Sequence, residues 1–224
     1  MPAPDLKIAV LGAGRMGQQV VRAIDKAPGC QAEGVWSRSA NSELATLLGA
    51  ADVAIDFTLP GATTSVVRIA TEQKIPLVCG VTGVDDAAQE AIMAAAQQIP
   101  LLYDRNMSQG IAVISNLLQK VAGILGPDFK PDIVEIHHIH KKDAPSGTAI
   151  ALREALGDDS IEIESRREGE VVGEHRVRFA SSSESIEIAH SVADRRVFAE
   201  GAVAAAQWLV RKAPGLYRMT DIWT

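Results

Sequence analysis

The sequence predicts an α/β protein: a doubly wound parallel sheet, followed by a second α+β domain built on a mixed or antiparallel sheet. Three observations predict it. Short apolar strands alternate with helices up to about residue 108. A glycine-rich turn joins the first strand to the first helix. Beyond that point several segments alternate apolar and polar residues, the pattern of a sheet with one buried face. With 224 residues, 47% of them hydrophobic, the chain can fill a core in each of two domains.

Residues 7–11 read as a short buried strand, and Gly12-Ala13-Gly14-Arg15-Met16-Gly17 follows. Residues 18–27 carry Val20, Val21 and Ile24 at helical spacing, and Pro28-Gly29 ends that helix. Strands are expected at 31–36, 53–57, 76–79 and 101–103, and helices at 63–73 and 85–98. The second domain opens with a long apolar helix at 111–125. An alternating strand at 132–140, a helix at 149–156 and strands at 161–164, 175–179 and 185–190 follow. An apolar helix at 201–212 stops at Pro214-Gly215. The change of pattern near residue 108 marks the boundary, with no flexible spacer and no internal repeat.

A lone Gly-x-Gly-x-x-Gly is a weak signal. Here it sits between a strand and a helix, the context of a dinucleotide-binding, Rossmann-like fold. Gly12 permits the tight turn, Gly14 lets the backbone approach a pyrophosphate, and Gly17 allows close helix–strand packing. Ala13, Arg15 and Met16 complete the loop. The residue that reads the ribose should lie about 20 positions further on, at the end of the second strand. That place holds Ser37 and Arg38 in place of Asp or Glu. An arginine suits a 2′-phosphate, so NADPH is expected in preference to NADH. Glu33 lies within the strand, too early to substitute. Phe57-Thr58, Gly80-Val81-Thr82 and Asp104-Arg105-Asn106-Met107 follow later strands, where such sheets gather cofactor contacts.

The run from Glu135 to Ala149 sets His137, His138 and His140 with Lys141 and Lys142 directly before Ser146-Gly147-Thr148. On a regular strand Glu135, His137 and Ile139 share one face, and Ile136, His138 and His140 the other. The imidazoles then do not converge, and no metal site is expected. Histidine titrates near neutrality and lysine holds negative charge, so His137 with Lys141 reads as a proton donor. Ser146-Gly147-Thr148 can open a helix whose N–H groups and hydroxyls suit a carboxylate. Donor and cradle together suggest protonation of an acidic small molecule. His140 and Lys142 have no evident role.

The net charge of −6, without a Lys/Arg block, argues against nucleic acid as a partner. Cys30 and Cys79 form no Cys-x-x-Cys pair. No apolar stretch is long enough to span a membrane, and the first residues lack a basic segment followed by an apolar one. A cytoplasmic protein with no membrane partner is the expectation.

At this point the chain closely resembles the 4-hydroxy-tetrahydrodipicolinate (dihydrodipicolinate) reductase family. The resemblance rests first on Glu135 to Ala149. Joining it are Gly14-Arg15-Met16-Gly17, Asp56-Phe57-Thr58, Gly80-Val81-Thr82-Gly83 and Asn106-Met107-Ser108-Gln109-Gly110. Arg167-Glu168-Gly169, Val172-Gly173-Glu174-His175, Ile186-Glu187-Ile188-Ala189-His190, Phe198-Ala199 and Pro214-Gly215-Leu216-Tyr217 extend it over nearly the whole chain. It implies reduction of a cyclic dicarboxylate by NADH or NADPH in lysine and diaminopimelate biosynthesis. It also implies His137 as acid with Lys141, and substrate contacts from His138, Ser146, Gly147 and Thr148. The implied organisation is a dinucleotide-binding domain of residues 1–108 and 196–224, a substrate-binding and oligomerisation domain of residues 109–195, and a homotetramer.

The chain departs from the family pattern at its cofactor end. The glycine loop is one residue shorter, Ser37 replaces the usual acidic ribose reader, and Val81 and Arg105 are unusual at their positions. About two dozen residues ahead of Asp52 are missing, so a helix and a strand should be trimmed there. Two other functions share part of the signal. A nicotinamide-dependent reductase or dehydrogenase of another amino-acid-derived imine does not explain the Lys141-to-Thr148 run. A non-catalytic nucleotide sensor does not need His137 and Lys141.

Overall fold

The computed structural model describes residues 5–38 and 43–223. It divides into two units, Met1–Ser108 with Arg196–Ile222, and Gln109–Arg195 with Trp223–Thr224. Trp223 thus groups with the second unit, not with the segment before it.

The first unit begins with β1 (Leu6–Leu11), in which Ile8 to Leu11 are fully buried. A continuous apolar run of this kind belongs to a parallel strand covered on both faces. Helix α1 (Arg15–Ile24) buries Gly17, Val20 and Ile24, spaced by three and four residues. It starts within the glycine loop, earlier than residue 18, because Gly14 itself occupies the N-cap. Then come β2 (Cys30–Trp36), the short helix α2 (Leu44–Gly49) and β3 (Val53–Asp56). Helix α2 is the described structure in the segment where trimming is expected; residues 39–42 lie outside the described residues. A 3-10 turn, Pro60–Ala62, leads into α3 (Thr63–Glu72), followed by β4 (Leu77–Cys79). Helix α4 (Asp86–Ala96) is capped by Asp85, whose side chain accepts the Ala88 N–H at 2.8 Å, and β5 (Pro100–Tyr103) follows.

The second unit consists of α5 (Gln109–Leu125), β6 (Lys130–His137), α6 (Gly147–Leu156), β7 (Ile163–Arg167), β8 (Gly173–Ala180) and β9 (Ser185–Val192). Its sheet has the order β7-β6-β8-β9; β6 and β7 are parallel and the other pairs antiparallel. One face packs on the helices: Ile133, Val177 and Phe179 form a core with Leu118, Ala149 and Leu152. The other face carries Asp132, Arg166, Arg176, Arg178 and Glu187. Strand β6 ends at His137, three residues before the end expected from alternation. The Glu168 N–H donates to the His137 carbonyl at 2.8 Å, and residues 138–140 form a turn in which the Lys141 N–H donates to the His138 carbonyl at 3.1 Å.

The chain then returns to the first unit as α7 (Arg196–Leu209) and β10 (Gly215–Tyr217). Helix α7 begins five positions before the expected 201. Gly201 is required there, since a Cβ would lie 1.8 Å from the Met107 carbonyl oxygen. Three-residue β10 begins at Gly215 itself, where the sequence predicts no strand, and pairs with β5. The first sheet is entirely parallel, in the order β10-β5-β4-β3-β1-β2. The order reverses between β1 and β3, the switch point at which such sheets bind ligands beyond their carboxyl ends.

Candidate active site

The glycine loop occupies that switch point. Gly12 has φ +110°, and a Cβ on it would lie 2.6 Å from the Phe57 carbonyl oxygen. On Gly17 a Cβ would lie 1.7 Å from the Gly12 carbonyl oxygen, whereas one on Gly14 would meet nothing within 4 Å. Two glycines are therefore demanded by the turn itself, and the third opens onto empty space at the α1 N-terminus. This is a cradle that an anionic diphosphate fits, because N–H groups and the helix dipole converge on a place with no side chain in it. Ala13 and Arg15 are exposed beside it, and Met16 is half-buried.

The other predicted cofactor contacts gather at the same sheet edge. The Phe57 ring covers Gly80, where a Cβ would sit 2.5 Å from a ring carbon. Asp56 shapes this corner: it is fully buried, accepts the Thr58 N–H at 2.8 Å, and burial pushes its carboxyl up to about 6. Arg38 is exposed and reaches toward Gly61, while Glu33 is engaged by Lys7 at 3.3 Å. Thr82 is exposed. The side chains of Val81 and Met107 are buried, so only their backbones are available to a ligand. Asp104 accepts the Met219 N–H at 3.1 Å and the Asn106 N–H at 3.3 Å, and Asn106 accepts the Ser108 N–H at 2.8 Å. These two side chains hold the loop, with Arg105 exposed on it.

In the second unit, alternation along β6 puts Ile133, Glu135 and His137 on the face that packs against the helices. At its C-terminal end this face turns polar. Sheet register places Glu135 opposite Ser165 on β7 and His175 on β8, and His137 opposite Arg167. Glu135 is fully buried and bonded to His137 Nδ1. It also accepts Arg167 Nη1 at 3.0 and 3.1 Å and the Ser146 N–H at 3.3 Å. Burial pushes the Glu135 carboxyl up, but Ser165, His137 and Arg167 together outweigh this and hold it below the ordinary carboxylate range. For His137 burial dominates and lowers its pKa; Glu135 opposes this, and Lys141 and Arg167 add to the lowering.

Ser146 is the N-cap of α6, its hydroxyl accepting the Ala149 N–H at 3.2 Å. The positive end of the helix dipole lies at this N-terminus, which suits an anion. Gly147 and Thr148 are half-buried. The Ser146 hydroxyl also meets His175 Nε2 at 3.2 Å. Burial, with His137 and His190 nearby, pushes His175 down to about 3, so it is neutral at physiological pH. Lys141 pairs with Asp143 at 2.9 Å.

Among the predicted residues, the structure thus brings His137, Lys141 and Ser146 into one network. His138 lies beyond the strand in the 138–140 turn, with its ring 6.2 Å from that of His140, and His140 faces Glu170 at 3.9 Å. The expectation that His138 and His140 share the opposite strand face is corrected, because the strand has ended. Glu135, Arg167 and His175 received no role from the sequence. All three lie in motifs that carry the family resemblance, but only the shared strand face of Glu135 and His137 points to a partnership. Among the described residues, no group of three or more His, Cys, Asp or Glu is arranged to hold a metal ion, and no helix is long and apolar enough to cross a membrane.

Residues 6–107 match the family model for the N-terminus of dihydrodipicolinate reductase, and residues 110–223 match that for its C-terminus. The 4-hydroxy-tetrahydrodipicolinate reductase of Xanthomonas campestris pv. campestris (strain B100) is 39% identical over 237 residues, covering 99% of each chain. That of Xylella fastidiosa (strain 9a5c) is 40% identical over 233 residues, covering 97% of this chain and 98% of its own. A dipicolinate-bound dihydrodipicolinate reductase from Paenisporosarcina sp. TG-14 shares the fold with a TM-score of 0.82 at 19% identity, covering 96% of this chain and 97% of its own.

Proposed function

The chain belongs to the dihydrodipicolinate reductase family, and from that premise we propose that it reduces 4-hydroxy-tetrahydrodipicolinate to tetrahydrodipicolinate in lysine and diaminopimelate biosynthesis. The observation that carries the reading is the buried Glu135–His137 pair beside the α6 N-terminus, a proton donor next to an anion cradle. The net reaction consumes one hydride and one proton and releases one water. A nicotinamide dinucleotide, when bound, supplies the hydride.

The residues of this chain do the rest. Gly12 to Gly17 and the N-terminus of α1 hold the diphosphate, with Phe57, Thr58, Gly80 and Thr82 at the neighbouring strand ends. The α6 turn, Ser146, Gly147 and Thr148, together with His138, binds the carboxylates and fixes the ring against rotation. His137 delivers a proton from Nε2 to the ring atom beside the carbon that receives hydride. Lys141 holds the negative charge that accumulates before the proton arrives. The test is loss of NADPH absorbance on adding freshly prepared cyclic substrate. Saturable oxidation that depends on this substrate is expected. Oxidation only with a different amino-acid-derived imine would overturn the assignment.

NADPH is the preferred cofactor in this reading, supported by Arg38 at the position where an acidic residue would read a ribose hydroxyl. Arg38→Ala should weaken NADPH binding about tenfold, as loss of a charge-assisted hydrogen bond does. NADH binding should change by less than about threefold, and equilibrium titration with both cofactors checks this. Equal losses would remove the 2′-phosphate from the explanation. The protein works as a cytoplasmic homotetramer. The outward, mixed-charge face of the second sheet supports assembly by like surfaces.

A further inference from the structure

We propose that Glu135 and Arg167 are positioning residues for the reaction proposed above: Glu135 fixes which imidazole nitrogen of His137 carries the transferable proton, and Arg167 anchors Glu135 and the loop bearing Lys141. The inference rests on that reading for its chemical consequence. Its geometric content stands on the buried network alone.

Glu135 is fully buried and takes Arg167 Nη1 on both oxygens, so it is held as a carboxylate. A carboxylate only accepts hydrogen bonds. The His137 nitrogen bonded to it, Nδ1, must therefore bear a hydrogen in the neutral as well as the charged imidazole. That leaves Nε2 as the atom that gains and loses the proton. Nε2 points past Gly173, where an added Cβ would approach it to 3.1 Å, so the lack of a side chain keeps this nitrogen open.

Arg167 does more than balance the charge. Its Nε donates to the Lys141 carbonyl at 3.3 Å and its Nη2 to the Asp143 carbonyl. Asp143 in turn pairs with Lys141 Nζ at 2.9 Å. The Ser146 N–H, at the head of the carboxylate cradle, also ends on Glu135 at 3.3 Å. One buried carboxylate and one guanidinium thus tie together the acid, the lysine loop and the helix cap. None of this needs either group to touch the substrate.

The charged and titratable groups facing His137 are Glu135 on its own strand, Lys141 in the following loop, Arg167 at the end of β7 and His175 on β8, whose ring centroid lies 5.1 Å away. Of these only Glu135 favours the imidazolium. Glu135→Gln keeps the shape and an acceptor oxygen but removes that charge. Loss of a neighbouring opposite charge moves a pKa by about 1–3 units. Each unit removes about nine-tenths of the protonated donor on the alkaline side.

The experiment combines two readouts on full-length protein. The first is the pH profile of kcat for wild type, Glu135→Gln and Arg167→Lys. The alkaline limb of Glu135→Gln should move down by at least about one pH unit, with kcat at neutral pH falling about tenfold or more. NADPH affinity should stay within about threefold. In Arg167→Lys, which keeps the charge but loses the fork that reaches Glu135 and three backbone carbonyls, kcat should fall and the limb should move less. The second readout is 15N imidazole NMR of the NADPH-bound protein without substrate. Neutral His137 should be the Nδ1–H tautomer in wild type, and its pKa should drop in Glu135→Gln. An Nε2–H tautomer in wild type, or an unmoved His137 pKa in Glu135→Gln, would overturn the proposal. Because the NMR titration needs no substrate, it decides the positioning role even if the dicarboxylate proves to be the wrong substrate.

Discussion

His137→Gln should lower kcat by about 100- to 10,000-fold, the usual contribution of a positioned general acid, while NADPH binding stays intact. Glutamine retains a hydrogen-bonding side chain of similar reach, so the cradle at Ser146 and the Glu135–Arg167 pair should persist. What disappears is a group that releases a proton near neutral pH. The sign of the pH dependence follows. The donor must be charged, and burial, opposed by Glu135, lowers the His137 pKa from 6.5. In wild type, kcat/KM should therefore fall as pH rises through a value below 6.5 in the free enzyme. This limb should be missing in His137→Gln. Steady-state kinetics of both proteins across pH, with cofactor titration beside them, checks all three statements. Full turnover in the variant would remove His137 from the chemistry.

The parts of the molecule legible in the sequence are those encoded by residue type over a short span. The glycine loop is one, because a tight turn and a close helix approach demand glycine wherever they occur. His137, Lys141 and Ser146 are another, since they lie within ten positions of one another and the family signature covers them. Glu135 and Arg167 are different. They are 32 residues apart and meet only because β6 and β7 pair in parallel with His137 opposite Arg167. The partnership of Ser146 with His175 spans 29 residues and depends in the same way on the β6–β8 register. Register is set by the whole buried face, Ile133, Val177 and Phe179 included, and is not carried by a motif.

The end of β6 shows the converse error. Ile139 continues the apolar–polar alternation, which read as strand up to residue 140. Tertiary hydrogen bonding instead folds residues 138–140 into a turn, with the Ile139 N–H given to the Gly169 carbonyl at 3.2 Å. A local pattern yielded to a partner 30 positions away. The result matters for the chemistry, because a continued strand would have carried Lys141 away from the Glu135 network.

The cofactor loop offers the second large effect, and a contrast that separates architecture from binding. Gly17→Ala should nearly abolish NADPH binding and lower stability by about 3 kcal/mol or more, at or beyond the upper end for overpacking. The new Cβ would lie 1.7 Å from the Gly12 carbonyl oxygen, a backbone atom of a turn that is itself pressed against Phe57. Neither side can yield by rotating a side chain, so α1 must lift from β1 and the cradle opens. Gly14→Ala adds the same methyl group, but it meets nothing within 4 Å. Gly14 has φ −73°, a value any residue adopts, so alanine there should leave the melting temperature unchanged or slightly raised. Its methyl group would nevertheless project into the space left for the diphosphate, and NADPH affinity should fall about tenfold or more. Thermal unfolding and cofactor titration of the two variants provide the check. If Gly14→Ala bound NADPH as wild type does, the open space at Gly14 would not be where the diphosphate rests, however well the loop fits the pattern. If Gly17→Ala were as stable as wild type, the tight turn would not be what fixes α1 against the sheet.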